Sequence, residues 1–485
     1  MNKSDQSRRS FLKKVSWLGS SLAMGLLPFP SFSKKSSLNN VYNITEPLHG
    51  DSFAYPTPAQ LEWQDCEVGV IFHFDISVAT EHFDQSNNSY REVFDPQNYN
   101  PKKLDTDQWI QAAKDAGAGY AVFTATHFCG FMQWQSDLYP YGLKQAKWRN
   151  GKGDIVEDFV RSCHKAGIKP AIYLSTHRNA YWHVDNHYVN WGKGKGTKKQ
   201  AEFNRVAEQM VQELCSRYGP LVEIWFDAGV KTPAEGGPDV LPIVEKYQPQ
   251  TVFYSSSQRA GHRWIGNEAG HADYPCWATM PGGYPVSHNA PSWRPILGTG
   301  DPDGSVWSPG MVDVPLRGAN GIHSWFWKPG QADGVYSPDQ LTTMYEQSVG
   351  HNCNFIIGAT INPDGRVPDN DRKHLANFGN EIKQRYEKPI AETKGVGQQL
   401  TLKLKELEQV NQIILLEQIE FGERVRSFTI EGHTKDQSWM KIDEGISIGH
   451  KYIGKIKTNR VSAIRLTIHE SVKTPVIRKF AVYQV

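Results

Sequence analysis

Between residues 68 and 360 the chain alternates short apolar runs with longer amphipathic segments. The runs are VGVIFHF (68–74), YAVFTAT (120–126), KPAIYLS (169–175), LVEIWFD (221–227), TVFYSS (251–256), RWIGNE (263–268), GIHSWFW (321–327) and NFIIGA (354–359). Most are rich in Val, Ile, Phe and Tyr and lack strict polar alternation. That pattern belongs to strands covered on both faces. Helical patterns lie between several of them. TDQWIQAAKDAGAG places Trp109, Ala112, Ala113 and Ala116 on one face, with Gly117 and Gly119 as stops. IVEDFVRSCHKAGI and AEFNRVAEQMVQELCSRYG carry similar stripes; Phe203, Val206, Met210 and Leu214 share a face in the second. Eight strands with intervening helices predict an α/β fold, an irregular (β/α)8 barrel. The link between the fifth and sixth runs is too short for a full helix. The segment 269–320 is rich in Gly and Pro and reads as a long loop on the active face.

After about residue 390 the pattern changes to strict alternation. QLTLKLKEL sets Leu400, Leu402 and Leu404 against Thr401, Lys403 and Lys405, and RVRSFTIEG, SAIRLTIHE and VIRKFAVYQV continue it. One covered face and one wet face predict a C-terminal antiparallel β-sandwich. Its only aromatic platform candidate is Trp439, so a buttress is expected rather than a sugar-binding module. The expected organisation is a barrel over 55–388 and the sandwich over 389–485.

The N-terminus changes the picture of where the chain works. SRRSFLKK (Ser7–Lys14) precedes an uncharged, moderately apolar stretch. Arg8-Arg9 followed by Ser10, Phe11, Leu12 and Lys13 resembles a twin-arginine export signal. Residues 1–33 are expected to be that signal, cleaved near Ser31-Phe32-Ser33, and 34–54 a linker. No later segment is apolar and long enough to span a bilayer. A periplasmic or secreted mature protein is therefore expected. The six cysteines show no C-x-x-C pair and no zinc spacing, and are read as buried thiols. Net charge is +2 with both signs intermixed, which gives no footprint for nucleic acid. Aromatics make up 12% of residues, with 17 His, a composition compatible with sugar binding.

A barrel of this type works at the C-terminal ends of its strands. The runs deliver His73, His127, Tyr173, Trp225, Asp227, Arg263, Glu268, Trp325 and Trp327 there. Asp227 and Glu268 stand out, because a carboxylate ending an apolar strand is costly unless used or paired. Two carboxylates among aromatics suit glycoside hydrolysis, with one acting at the anomeric carbon and the other moving the proton. Nothing calls for a metal or an organic cofactor.

Together, VEIWFDAG, GVIFHFD, FTATHFCGFMQW, KWRNGKGDIVEDFV, YLSTHRNAYW, RWIGNEAG and NCNFIIGATINPDGRVPD resemble the landmarks of glycoside hydrolase family 29, the α-L-fucosidases. The likeness covers roughly 55–385, and the C-terminal segment resembles the sandwich of the α-1,3/1,4-type branch. The resemblance implies a retaining exo-glycosidase acting on oligosaccharides or polysaccharides. Asp227 would be the nucleophile and Glu268 the general acid/base, about 5–5.5 Å apart. His73, His127, Tyr173, Trp225, Arg263 and Trp325 match pocket-lining positions. The chain also departs from the family's pattern. H-F-G becomes His73-Phe74-Asp75, the second pocket histidine becomes Phe128, the E-W pair becomes Glu81-His82, and S-P-W-D-R-N becomes STHRN. Such swaps change which hydroxyls are read. An exo-α-L-galactosidase and a non-catalytic carbohydrate-binding protein therefore stand as alternatives. The motifs specify neither linkage, aglycone nor oligomeric state.

Overall fold

In a computed structural model, residues 53–83 and 91–485 are described. The expected export signal and nearly all of the expected linker lie outside the described residues. The barrel strands are β1 (Val68–His73), β2 (Tyr120–Thr126), β3 (Lys169–Leu174), β4 (Glu223–Val230), β5 (Val252–Ser256), β6 (Arg263–Trp264), β7 (Gly310–Pro315) and β8 (Cys353–Thr360). They form one parallel sheet in the order β5-β4-β3-β2-β1-β8-β7-β6. This is the irregular barrel the apolar runs predict. The seam falls between β5 and β6, which residues 257–262 join without a helix. Gln60 spans it, donating from its side-chain amide to the carbonyls of Gly261 and Trp307, each at 2.8 Å.

Two of the expected strands differ. The sixth shrinks to Arg263–Trp264, leaving Glu268 in the loop beyond it. The seventh is not 321–327 but Gly310–Pro315. That strand is hard to read because Asp313 interrupts its apolar run and Gly and Pro bracket it. The aromatic run GIHSWFW imitates a strand because aromatics favour strands. Its rings instead fold into the barrel mouth, where Phe326 lies 5.1 Å from the His73 ring.

The strands are buried on both faces. Ile71, Val122, Tyr173, Trp225, Tyr254, Met311 and Ile356 pack inside the barrel. Val70, Phe123, Ile172, Phe226, Val312 and Ile357 pack outward against helices. Those helices include α2 (Thr106–Asp115), α3 (Ile155–Ala166), α4 (Lys198–Arg217) and α5 (Asp369–Tyr386), and α1 (Pro58–Gln64) precedes β1. On α1, Trp63 enters the barrel interior and stacks on His262, with ring centroids 4.4 Å apart. Its Nε1 donates to Glu223 at 3.1 Å, and His262 Nε2 lies 2.6 Å from the same carboxylate. Two rings thus meet one acid in the lower barrel, each holding the Glu223 carboxylate through a ring nitrogen. All six cysteines are free and buried.

The C-terminal part is a single six-stranded antiparallel sheet. Two long strands, Gln399–Glu417 and Tyr452–Ser471, run through it with register shifts and wrap it around one apolar core. Trp439 is covered by the Arg465 guanidinium at 4.2 Å, which fits a buttress better than an open sugar platform. The sheet is fastened to the barrel by buried polar contacts. Glu423 accepts from the Ala278 amide at 2.9 Å and from the Asn352 side chain. Lys451 pairs with Glu67, and His450 with Asp65.

Glu423→Ala should therefore strand a buried amide N–H and the Asn352 side chain, costing about 2–4 kcal/mol. Denaturant unfolding measures this. An unchanged midpoint would show that the two parts do not depend on this joint.

Candidate active site

Asp227 lies inside β4 rather than at its end. Pairing with β5 holds to Trp225 and resumes only at Val230, opposite Ser256. In the gap, Ala228 has φ 56° and Gly229 φ 83°. A left-handed alanine costs about 1–2 kcal/mol, and such strain collects at functional sites. The bulge presents the Asp227 carboxylate to the mouth. Tyr173 on β3 donates its hydroxyl to Oδ2 at 2.9 Å. Burial raises the Asp227 pKa above its ordinary value. The Tyr173 hydroxyl and the Ala228 amide pull it back, the Glu268 charge pushes it up, and Arg178 opposes that push.

Glu268 faces the same mouth from the loop after β6. Trp325 Nε1 donates to its Oε2 at 2.9 Å, and His323 Nε2 lies 2.6 Å from the same oxygen. Trp325 can reach this position because Gly358 on β8 has no side chain. A Cβ there would sit 2.4 Å from the indole.

His73 and His127 form the wall between the carboxylates. The His127 ring stacks on Tyr173 with centroids 5.5 Å apart, and His73 lies 5.2 Å from Trp325. Burial lowers the His73 pKa to about 3 and drives His127 well below the usual imidazole value. Both rings are therefore neutral at pH 7, each with one donor and one acceptor nitrogen. His73 Nδ1, Thr126 Oγ1 and Trp225 Nε1 are buried with no hydrogen-bond partner among the described residues. An unpaired buried polar atom costs about 1–3 kcal/mol, so this wall suits a ligand rich in hydroxyls.

Three expected pocket residues, Arg263, Glu81 and His82, make other contacts or face solvent. Arg263 is fully buried and turned into the protein, not the pocket. It donates to the carbonyls of Leu297 (2.9 Å), Trp277 (2.8 Å) and Ser308, bolting down the long loop between β6 and β7. Glu81 and His82 are exposed, and no hydrogen bond or ring contact joins either to the carboxylates among the described residues. His82 instead packs on Phe94 and pairs with Thr80. Asp75 is a helix cap: its Oδ1 accepts from the Ser77 amide at 2.9 Å. Phe128 is roofed by Arg178, whose guanidinium lies 5.2 Å from the ring.

Three further residues belong to the site. His323 was hidden inside the mistaken strand. Trp264 and Asp313 are joined by a 2.8 Å hydrogen bond beside the two carboxylates. The signal for Asp313 was present, since an acid inside the apolar run MVDVP has the form of the one in IWFDAG.

Paired carboxylates among aromatic rings at a barrel mouth form the architecture of a glycoside hydrolase. The α-L-fucosidase family model matches residues 53–387. α-L-Fucosidase 1 of Arabidopsis thaliana is 26% identical over 94% of this chain and 92% of its own. A Bacteroides thetaiotaomicron structure assigned as an α-L-fucosidase is 43% identical, with a TM-score of 0.85 over 89% of this chain and all of the other. A glycoside hydrolase family 29 member from a rumen bacterium is 25% identical, with a TM-score of 0.72 over 89% of this chain and 77% of the other. The chain belongs to the α-L-fucosidase family, glycoside hydrolase family 29, and is a glycoside hydrolase.

The raised Asp227 pKa has a consequence for stability. The native state holds this proton more tightly than the unfolded chain, whose value lies near 3.8. Stability is therefore lost as pH rises above that value. Asp227→Asn should raise Tm by a few degrees at pH 7, with the gain shrinking as pH falls toward about 4. Calorimetry at the two pH values checks this.

Proposed function

We propose that this protein is a retaining exo-α-L-fucosidase that works by double displacement. The supporting observation is the convergence of Asp227 and Glu268 on one mouth, each steered by named donors. Asp227 Oδ2 is held by Tyr173, and Glu268 Oε2 by Trp325 and His323. Both Glu268 donors fall on Oε2, which leaves its other oxygen to the sugar. In the first step Glu268 gives its proton to the glycosidic oxygen while Asp227 attacks the anomeric carbon. The glycosyl ester forms as the leaving group departs as an alcohol. In the second step Glu268 takes a proton from water, which attacks the same carbon and frees Asp227. Neutral His73 and His127, with Trp225, hydrogen-bond the sugar's hydroxyls.

The reading extends to location. Arg8-Arg9 and the residues after it support export by a twin-arginine route, so substrates are extracellular or periplasmic oligosaccharide ends. Phe128 favours one second reading, an exo-α-L-galactosidase. An aromatic ring under an arginine reads an exocyclic group differently from an imidazole donor.

Hydrolysis of an aryl α-L-fucoside and an aryl α-L-galactoside by the protein lacking residues 1–33 separates the two. Preference for the fucoside is expected, preference for the galactoside supports the second reading, and cleavage of neither contradicts both. Asp227→Asn should lower kcat by at least ~10³-fold. Glu268→Ala should lose far less on a dinitrophenyl fucoside, whose leaving group needs no proton, than on an oligosaccharide. Tyr173→Phe removes a group that holds the Asp227 pKa down. The acidic limb of its kcat/KM profile should therefore move to higher pH.

A further inference from the structure

One buried acid at the site has no part in the mechanism above. On β7, Val312 and Val314 point outward into the core beneath the helices, and Met311 points into the barrel. Strand alternation puts Asp313 on the inner face as well, one layer nearer the mouth than Met311. It is only 5% exposed. β7 stands four places round the sheet order from β3, so Asp313 faces the mouth from the side opposite Tyr173.

Two other deeply buried acids have a cationic or imidazole partner. Arg317 grips Asp371 through two nitrogens at 2.9 and 3.0 Å, and His262 meets Glu223 at 2.6 Å. Among the described residues Asp313 has no ion-pair partner. Its one side-chain donor is Trp264 Nε1, which takes Oδ1 at 2.8 Å, so no other side chain among the described residues donates to Oδ2. Its charged neighbours are Glu268 and Asp227. Burial, then the charge of Glu268 and that of Asp227, drive the Asp313 pKa well above the usual carboxylate value. A buried carboxyl with two acidic neighbours and no cation is stable as the neutral acid, which is a hydrogen-bond donor.

We propose that Asp313 is a specificity residue of the sugar subsite, a carboxylic acid that donates its O–H to one ring hydroxyl of the bound sugar. This rests on the glycosidase reading of the site. Trp264 fixes the carboxyl plane through Oδ1, so the other oxygen is aimed rather than rotating. The neutral acid adds no third negative charge beside Asp227 and Glu268. A sugar lacking the matching hydroxyl leaves this donor unpaired, and such sites discriminate strongly.

The test compares Asp313→Asn with Asp313→Leu on an aryl α-L-fucoside and on its 2-, 3- and 4-deoxy forms. Asn keeps a neutral donor of the same shape, so its kcat/KM should stay within about fivefold of wild type. Leu should lose ~10²-fold on the parent sugar. That loss should shrink below about fivefold on one deoxy substrate, the one missing the partnered hydroxyl. Asn as damaged as Leu would overturn the proposal, because an ionised carboxylate would then be required. A folded Leu variant with wild-type kcat/KM, or equal losses on every deoxy form, would overturn it too. If Leu fails to fold, the Asn variant decides: retained kcat/KM supports the proposal and a ~10²-fold fall overturns it. A wild type that cleaves no fucoside contradicts the fucosidase reading instead. The same ordering is then sought in calorimetric binding of L-fucose and L-galactose, and identical binding by all three proteins would sink the proposal.

Discussion

Everything at this barrel mouth follows from the cost of placing carboxyl groups where water is scarce. An ionised acid in such a setting must be paired, hydrogen-bonded or neutralised by a proton. The chain uses a different solution at each acid. Glu223, deepest, is closed off between Trp63 and His262. Asp227 is left with one hydroxyl donor and a raised pKa, so its charge is available but not quenched. Glu268 sits nearer solvent, steered by an indole and an imidazole that share one of its oxygens. A cation bonded directly to Asp227 or Glu268 would satisfy the charge and blunt the chemistry.

That arrangement requires a stiff frame, and much of the molecule supplies it. The sheet has a seam at β5 and β6, which Gln60 and the buried Arg263 secure by binding backbone carbonyls on the long loop and around it. The C-terminal sheet reaches the same loop through Glu423 and the Ala278 amide. Its fasteners at Asp65 and Glu67 hold the segment that leads into β1. The buttress therefore acts on the elements that carry His73 and Glu268.

Much of this was legible in the sequence because it rests on short-range pattern. Doubly covered parallel strands must read as apolar runs, and a half-wet antiparallel sheet must alternate. Asp227 announced itself as a charge at the end of IWF. Elements placed by long-range contacts were harder to read. GMVDVP becomes a strand because β8 and β6 flank it, while the more strand-like GIHSWFW is bent so that its rings fill the mouth. Arg263 looked like a pocket residue from its place in the RWIGNE run. Strand alternation turns neighbouring side chains to opposite faces, so the Trp264 indole reaches the site and the guanidinium does not. Glu81, His82 and Asp75 were located by motif position alone, and local capping and surface packing decide their fate instead.

The central claim is that the charge in IWFD forms a bond to carbon. Incubation with a 2-deoxy-2-fluoro-L-fucosyl fluoride slows the second step and allows the intermediate to accumulate, and peptide mass spectrometry then locates it. The account predicts one fluorosugar per chain, carried on the peptide containing Asp227 and absent from Asp227→Asn. A fluorosugar bound through another residue, or turnover of this reagent with no adduct and an inverted first product, would contradict it.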